Sequence, residues 1–206
     1  HELIGVPPIN TWDDVTALGK EVVARGFTVL KTNPLFPGEA AYGSNRLGGF
    51  GGGPGDGNVS NELIDHIRTQ IGTFRDAVGP YVDIALDLNF NFRVEAAKRI
   101  CKALEDFNMM WVEIDIYEPG GLREIRDSTC VPICSGENLI TSRDYRRYFE
   151  ARAMDVCMVD LPWNGFTQSK KVADMAETFD INVAPHNYYS HLSTLHSMHF
   201  CASVGN

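Results

Sequence analysis

The fold that this sequence predicts is an α/β domain built on parallel strands, closed as a β/α barrel. Three observations carry it. Amphipathic helical stretches alternate with short apolar runs along the whole chain. Each apolar run ends in a charged residue or a histidine: Lys31, Asp87, Glu113, Glu137, Asp160 and His186. From Asp87 onward these residues recur every 23 to 26 positions, about one strand–helix–strand step. Alternating strands and helices imply parallel βαβ units. An open doubly wound sheet would spread the six polar residues along an edge, whereas a barrel gathers its strand ends at one face. Convergence of the six favours the barrel.

The elements follow in order. "TWDDVTALGKEVVARG" reads as a helix, with Thr11 as N-cap and Gly26 past its end. "FTVLKTN" is a buried strand that ends near Lys31. The glycine loop "GGFGGGPGDG", Gly48 to Gly57, comes next. The helix "NELIDHIRTQIGTFRDAVG" leads to the strand "VDIALDLN", and "VEAAKRICKALEDF" leads to "MMWVEIDI". "LREIRD" precedes "VPICSGEN", and "SRDYRRYFEAR" precedes "MDVCMVDL". "GFTQSKKVADMAETFD" precedes "INVAPHN", and a last helix, "HLSTLHSMHFCASVG", follows. That makes six strands, with no shift of composition that marks a domain boundary.

Composition narrows the function classes. The 206 residues suffice to bury a core, and 44% are hydrophobic against 22% charged, as in globular proteins. A net charge of −9 argues against nucleic acid or an anionic membrane as the main partner. It leaves room for a small anionic substrate, because a bound metal inverts the local field. The five cysteines, Cys101, Cys130, Cys134, Cys157 and Cys201, form no C-x-x-C pair. They read as reduced core thiols of a cytoplasmic protein. No apolar run approaches the ~18 residues of a membrane span, and no signal peptide is visible.

The strand-end residues carry the chemistry. Asp87, Glu113 and Glu137 on consecutive strands would repel one another in a shared pocket. A hard divalent cation resolves that repulsion, and all-oxygen ligation suits Mg²⁺. Asp160 and His186 end the next two strands, where a carboxylate can hold an imidazole and raise its basicity. Lys31 ends a strongly apolar strand, where desolvation and a nearby cation would lower its pKa and make it a base.

In this order, "LKTN", "LDLN", "WVEIDIYEP", "SGEN", "VDLPWNG" and "VAPHN" resemble the barrel domain of the enolase superfamily. The likeness is closest to its mandelate racemase/muconate lactonizing enzyme branch, and within that to galactonate-type sugar-acid dehydratases. It runs from about Thr11 to Asn206 and implies a (β/α)7β-type modified TIM barrel over residues 1–206. It also implies Mg²⁺ ligands at Asp87, Glu113 and Glu137, a dyad of His186 and Asp160, and a lysine at Lys31. The N-terminal capping domain, the first barrel strand and the eighth strand of the family are not evident, so the barrel reads as incomplete at both ends. Two positions depart from the pattern. The K-x-K of many racemase-like members is here Lys31-Thr32-Asn33, and the histidine that galactonate-type dehydratases carry two residues after the first metal ligand is Asn89.

The resemblance implies a Mg²⁺-dependent dehydratase of an aldonate or aldarate. The proton α to the carboxylate leaves through an ene-diolate, the β-hydroxyl departs, and a 2-keto-3-deoxy acid forms. Lys31 is the expected base and His186, oriented by Asp160, the expected acid; the sequence leaves the exchange of these roles open. Asn33 and Asn89 suit hydrogen bonds to substrate or to a metal-bound water, and Tyr188, with Tyr189 and His191, is expected to line the pocket. A racemase or epimerase on the same scaffold, or a metal-binding barrel without turnover, are the alternatives. The partner is a small carboxylate, and a homo-oligomeric assembly is expected. The glycine loop matches no phosphate-binding motif. Following the Lys31 strand, it reads as a lid or a subunit-contact loop.

Overall fold

Helices and strands alternate through the protein as the periodicity predicts. The computed structural model describes residues 8–39 and 57–206. The glycine loop, apart from Gly57, and with it the expected lid, lies outside the described residues. Six strands are described: β1 (Val29–Thr32), β2 (Asp83–Asp87), β3 (Trp111–Glu113), β4 (Ile133–Ser135), β5 (Val156–Cys157) and β6 (Asn182–Val183). Between and around them run α1 (Trp12–Ala24), α2 (Asn61–Val78), α3 (Val94–Ala103), α4 (Pro119–Asp127), α5 (Thr141–Glu150), α6 (Leu161–Glu177) and α7 (His191–Cys201).

The chain divides into two units, one of His1–Glu113 with Thr129–Val131 and one of Ile114–Ser128 with Pro132–Asn206. In the first, Thr11 caps α1 through a capping box with Asp14, which satisfies two backbone donors that the helix leaves free. Helix α2 buries Ile67, Gln70, Ile71, Phe74 and Val78, a stripe at helical spacing. Full burial of each large apolar side chain in that stripe stabilises the fold by roughly 1.5–3 kcal/mol. Gly19 of α1 faces this helix so closely that a Cβ there would stand 2.7 Å from that of Ala77. Strands β1, β2 and β3 pair in parallel, with Lys31 opposite Ala85, Ala85 opposite Trp111 and Asp87 opposite Glu113.

The second unit holds the parallel pairs β4–β5 and β5–β6, with Ser135 opposite Cys157 and Cys157 opposite Val183. Helix α6 starts earlier than its apolar period suggests. Asp160 caps a first turn at Leu161, the helix breaks at Gly165 (φ 68°), and it then resumes. Tyr145 of α5 is fully buried and donates its hydroxyl to the Gly136 carbonyl. The expectation of five core thiols is corrected. All five cysteines are free; Cys101, Cys134 and Cys157 are buried, but Cys130, in the loop between α4 and β4, and Cys201, the last residue of α7, are exposed. Among the described residues, no helix is long and apolar enough to cross a membrane.

Candidate active site

In the first unit, strand register decides which side chains meet. Paired residues of a parallel sheet share a face, and residues two apart share it as well. Lys31, Ala85, Asp87, Trp111 and Glu113 therefore line one face. Ala85 is too small to block the lysine stem, so Lys31 reaches along the strands to the two carboxylates. Its Nζ lies 3.1 Å from Asp87 Oδ2 and 2.5 Å from Glu113 Oε2.

Glu113 is only 1% exposed, and its Oε1 has no hydrogen-bond partner among the described residues. Burial pushes its carboxyl well above the ordinary range; the Asp87 charge adds to this and Lys31 opposes it. For Lys31 the balance runs the other way. Burial disfavours the ammonium, but the Glu113 and Asp87 charges outweigh it and its pKa is raised. The depression expected of this lysine presupposes a nearby cation; with two carboxylates facing it, the shift is upward. The pair itself fits a hard divalent cation: two anionic oxygen donors converge on one cationic group, and one buried donor atom is left over.

Both asparagines sit beside this cluster. Asn33 Nδ2 donates to the Asp87 carbonyl at 3.3 Å, and the Asn89 backbone N–H donates to Asp87 Oδ1 at 2.8 Å from a left-handed residue (φ 51°). Gln70, fully buried on α2, was not legible as a site residue. Its Nε2 donates to Thr32 Oγ1 and the Asn33 carbonyl, and its Oε1 accepts from the Leu35 N–H, which fixes the chain just past Lys31.

In the second unit, Gly136 (φ 117°) makes the turn that presents Glu137. Its N–H donates to Asp115 Oδ1 at 3.1 Å, and Ser135 Oγ donates to the same oxygen at 3.2 Å. Asp115, buried and overlooked in the sequence beside the more prominent Glu113, thus holds the strand end before Glu137. Asp160 and His186 form a parallel bridge, and the His186 N–H donates to the Val159 carbonyl at 2.9 Å.

The side chains of Asp160 and Glu137 both reach His186. His186 Nδ1 is 2.6 Å from Asp160 Oδ2, and His186 Nε2 is 3.1 Å from Glu137 Oε2. A carboxylate oxygen thus faces each ring nitrogen of His186. Tyr188 is exposed and lines an open recess of about 400 Å³ with Asn187, Tyr189, Ser190, His191 and Thr194.

The family described as Enolase C-terminal domain-like matches residues 14–206. A D-xylonate dehydratase of Haloferax volcanii is 33% identical over 153 residues, covering 72% of this chain and 37% of that protein. A D-gluconate dehydratase of Thermoproteus tenax is 31% identical over 173 residues, covering 82% of this chain and 31% of that protein. A crystal structure of a Burkholderia xenovorans protein with magnesium and fumarate, described as a candidate L-alanine-DL-glutamate epimerase, superposes with a TM-score of 0.90 at 40% identity. It covers 97% of this chain and 50% of that one. The chain therefore spans about a third of the length of these two curated relatives and half of the solved one.

Proposed function

The chain belongs to the enolase C-terminal domain-like family, and from that premise we propose that its protein is a Mg²⁺-dependent sugar-acid dehydratase. The observation that carries the reading is the Asp160–His186 pair at 2.6 Å, a carboxylate-held imidazole with its second nitrogen turned to another acid. The proposed substrate class is an aldonate or aldarate, and the dehydratase names of the two curated relatives, for D-xylonate and D-gluconate, support the aldonate.

Asp87, Glu113 and Glu137 are the residues that would hold the cation. When bound, it supplies positive charge at the substrate carboxylate as the α-proton leaves. Lys31 takes that proton from C2. It serves as a base only after losing its own proton, which it can do once Asp87 and Glu113 no longer direct their charge at it. His186 gives a proton from Nε2 to the hydroxyl on C3, so that the C3–O bond breaks and water departs. Asp160 keeps Nδ1–H in place meanwhile. The enol left behind becomes the 2-keto-3-deoxy acid. Asn33, Asn89 and Tyr188 are assigned to substrate contacts, and assembly as a homo-oligomer belongs to the same proposal.

The 40% identity to a protein described as an epimerase favours one second reading: proton return to the opposite face of C2 without loss of water. A panel of aldonic and aldaric acids with Mg²⁺, assayed for 2-keto acid, separates the two. Keto acid that vanishes with EDTA and in His186→Asn supports the dehydratase. Inversion at C2 with no keto acid from any member would replace it with the epimerase.

A further inference from the structure

Asp160 has three donors on two carboxylate oxygens. Oδ1 accepts from the Trp163 backbone N–H at 2.9 Å, as the N-cap of α6. Oδ2 accepts from His186 at 2.6 Å and from the Tyr189 hydroxyl at 2.7 Å. At 1% exposure the carboxylate has little water to complete its shell, so among the described residues these groups set its orientation. The Tyr189 ring also stands edge-on to the His186 imidazole, with centroids 5.9 Å apart and planes at 85°. One side chain, three residues past the histidine, thus touches both members of the pair.

We propose that Tyr189 is a positioning residue that, with the Trp163 N–H, fixes the Asp160 carboxylate against His186 and so aims the imidazole at the substrate. The role rests on the dehydratase reading for its effect on turnover, but not for its effect on the ring. Burial, then the hydrogen bond and charge of Asp160, raise the phenol's pKa, so it remains a donor. Loss of the hydroxyl leaves Oδ2 with His186 alone, and the carboxylate turns about its remaining anchor. Partners that orient an active-site imidazole from behind are worth ~10–100-fold.

The variant is Tyr189→Phe in the intact protein, which keeps the ring contacts. ¹⁵N-edited NMR of the His186 ring reads the Nδ1–H bond directly. The expected result is solvent exchange of that proton about tenfold faster than in the unaltered protein, and, on a substrate found by the panel, kcat about tenfold lower with KM within twofold. An unchanged exchange rate overturns the proposal, as does a raised KM with kcat intact, which would make Tyr189 a pocket wall. If no substrate is found, the dehydratase reading fails, while the ring exchange still decides the role of Tyr189.

Discussion

Lys31→Met removes the only side-chain cation recorded on the Asp87–Glu113 pair among the described residues. Two opposite charges about 4 Å apart attract by ~4 kcal/mol at an effective dielectric of ~20. Breaking such a pair costs ~3–5 kcal/mol when it is fully buried. The Lys31 side chain is 41% exposed, so solvent screens part of this. The expected loss of stability without metal is about 1–3 kcal/mol. Denaturant melts in EDTA measure it. Saturating Mg²⁺ should narrow the gap, since the cation takes over the charge balance in both forms.

The pH dependence has a definite sign. The raised pKa of Lys31 means its stabilisation is complete below the unfolded lysine value and is lost as pH rises through the folded one. The raised carboxyl of Glu113 acts in the same direction, costing nothing below the unfolded value and more as pH rises above it. Stability in EDTA should therefore fall from about pH 5 upward, and Mg²⁺ should flatten the slope. A Lys31→Met variant as stable as the unaltered protein in EDTA, or a gap that Mg²⁺ leaves unchanged, would refute the reasoning.

Two further predictions concern the frame of the site. Gly136→Ala places a Cβ 3.1 Å from the Tyr145 ring at a φ of 117°, and should cost about 1–3 kcal/mol in a urea melt; a neutral result would show that the turn before Glu137 is not strained. In the native protein a thiol reagent should label Cys130 and Cys201 but leave Cys134, Cys157 and Cys101 unreacted, the last with its thiol pushed up to about 12 by burial; mass spectrometry that finds Cys101 labelled at native pH would contradict that burial.

Much of the fold was legible because each apolar run leads to a polar residue at the end of a strand or two to three residues past it. Lys31, Asp87, Glu113 and their counterparts could be read that way, and the parallel α/β, TIM-barrel-like class of the family follows from the same pattern. The Asp160–His186 contact was legible for the same reason, since adjacent strand ends fix their neighbours. Other features had no such signal. Gln70 lies within an apolar helical stripe, and only the fold shows it turned to the chain past Lys31. The early start of α6 depends on a cap by Asp160, a residue the strand pattern had already claimed. Tyr189 carries no spacing that separates it from Tyr188, and only the fold shows its hydroxyl donating to Asp160. The raised pKa of Lys31 depends on which charges face it, and a strand-end position does not give that.

Removal of a proton from carbon is tested most directly by hydrogen exchange. The intact protein is incubated in D₂O with Mg²⁺ and an aldonic acid, and the C2 proton is followed by NMR. His186→Asn should form no keto acid yet still replace the C2 proton with deuterium, because Lys31 removes it and His186 acts on the hydroxyl. Exchange that survives in Lys31→Met and disappears in His186→Asn would contradict the assignment.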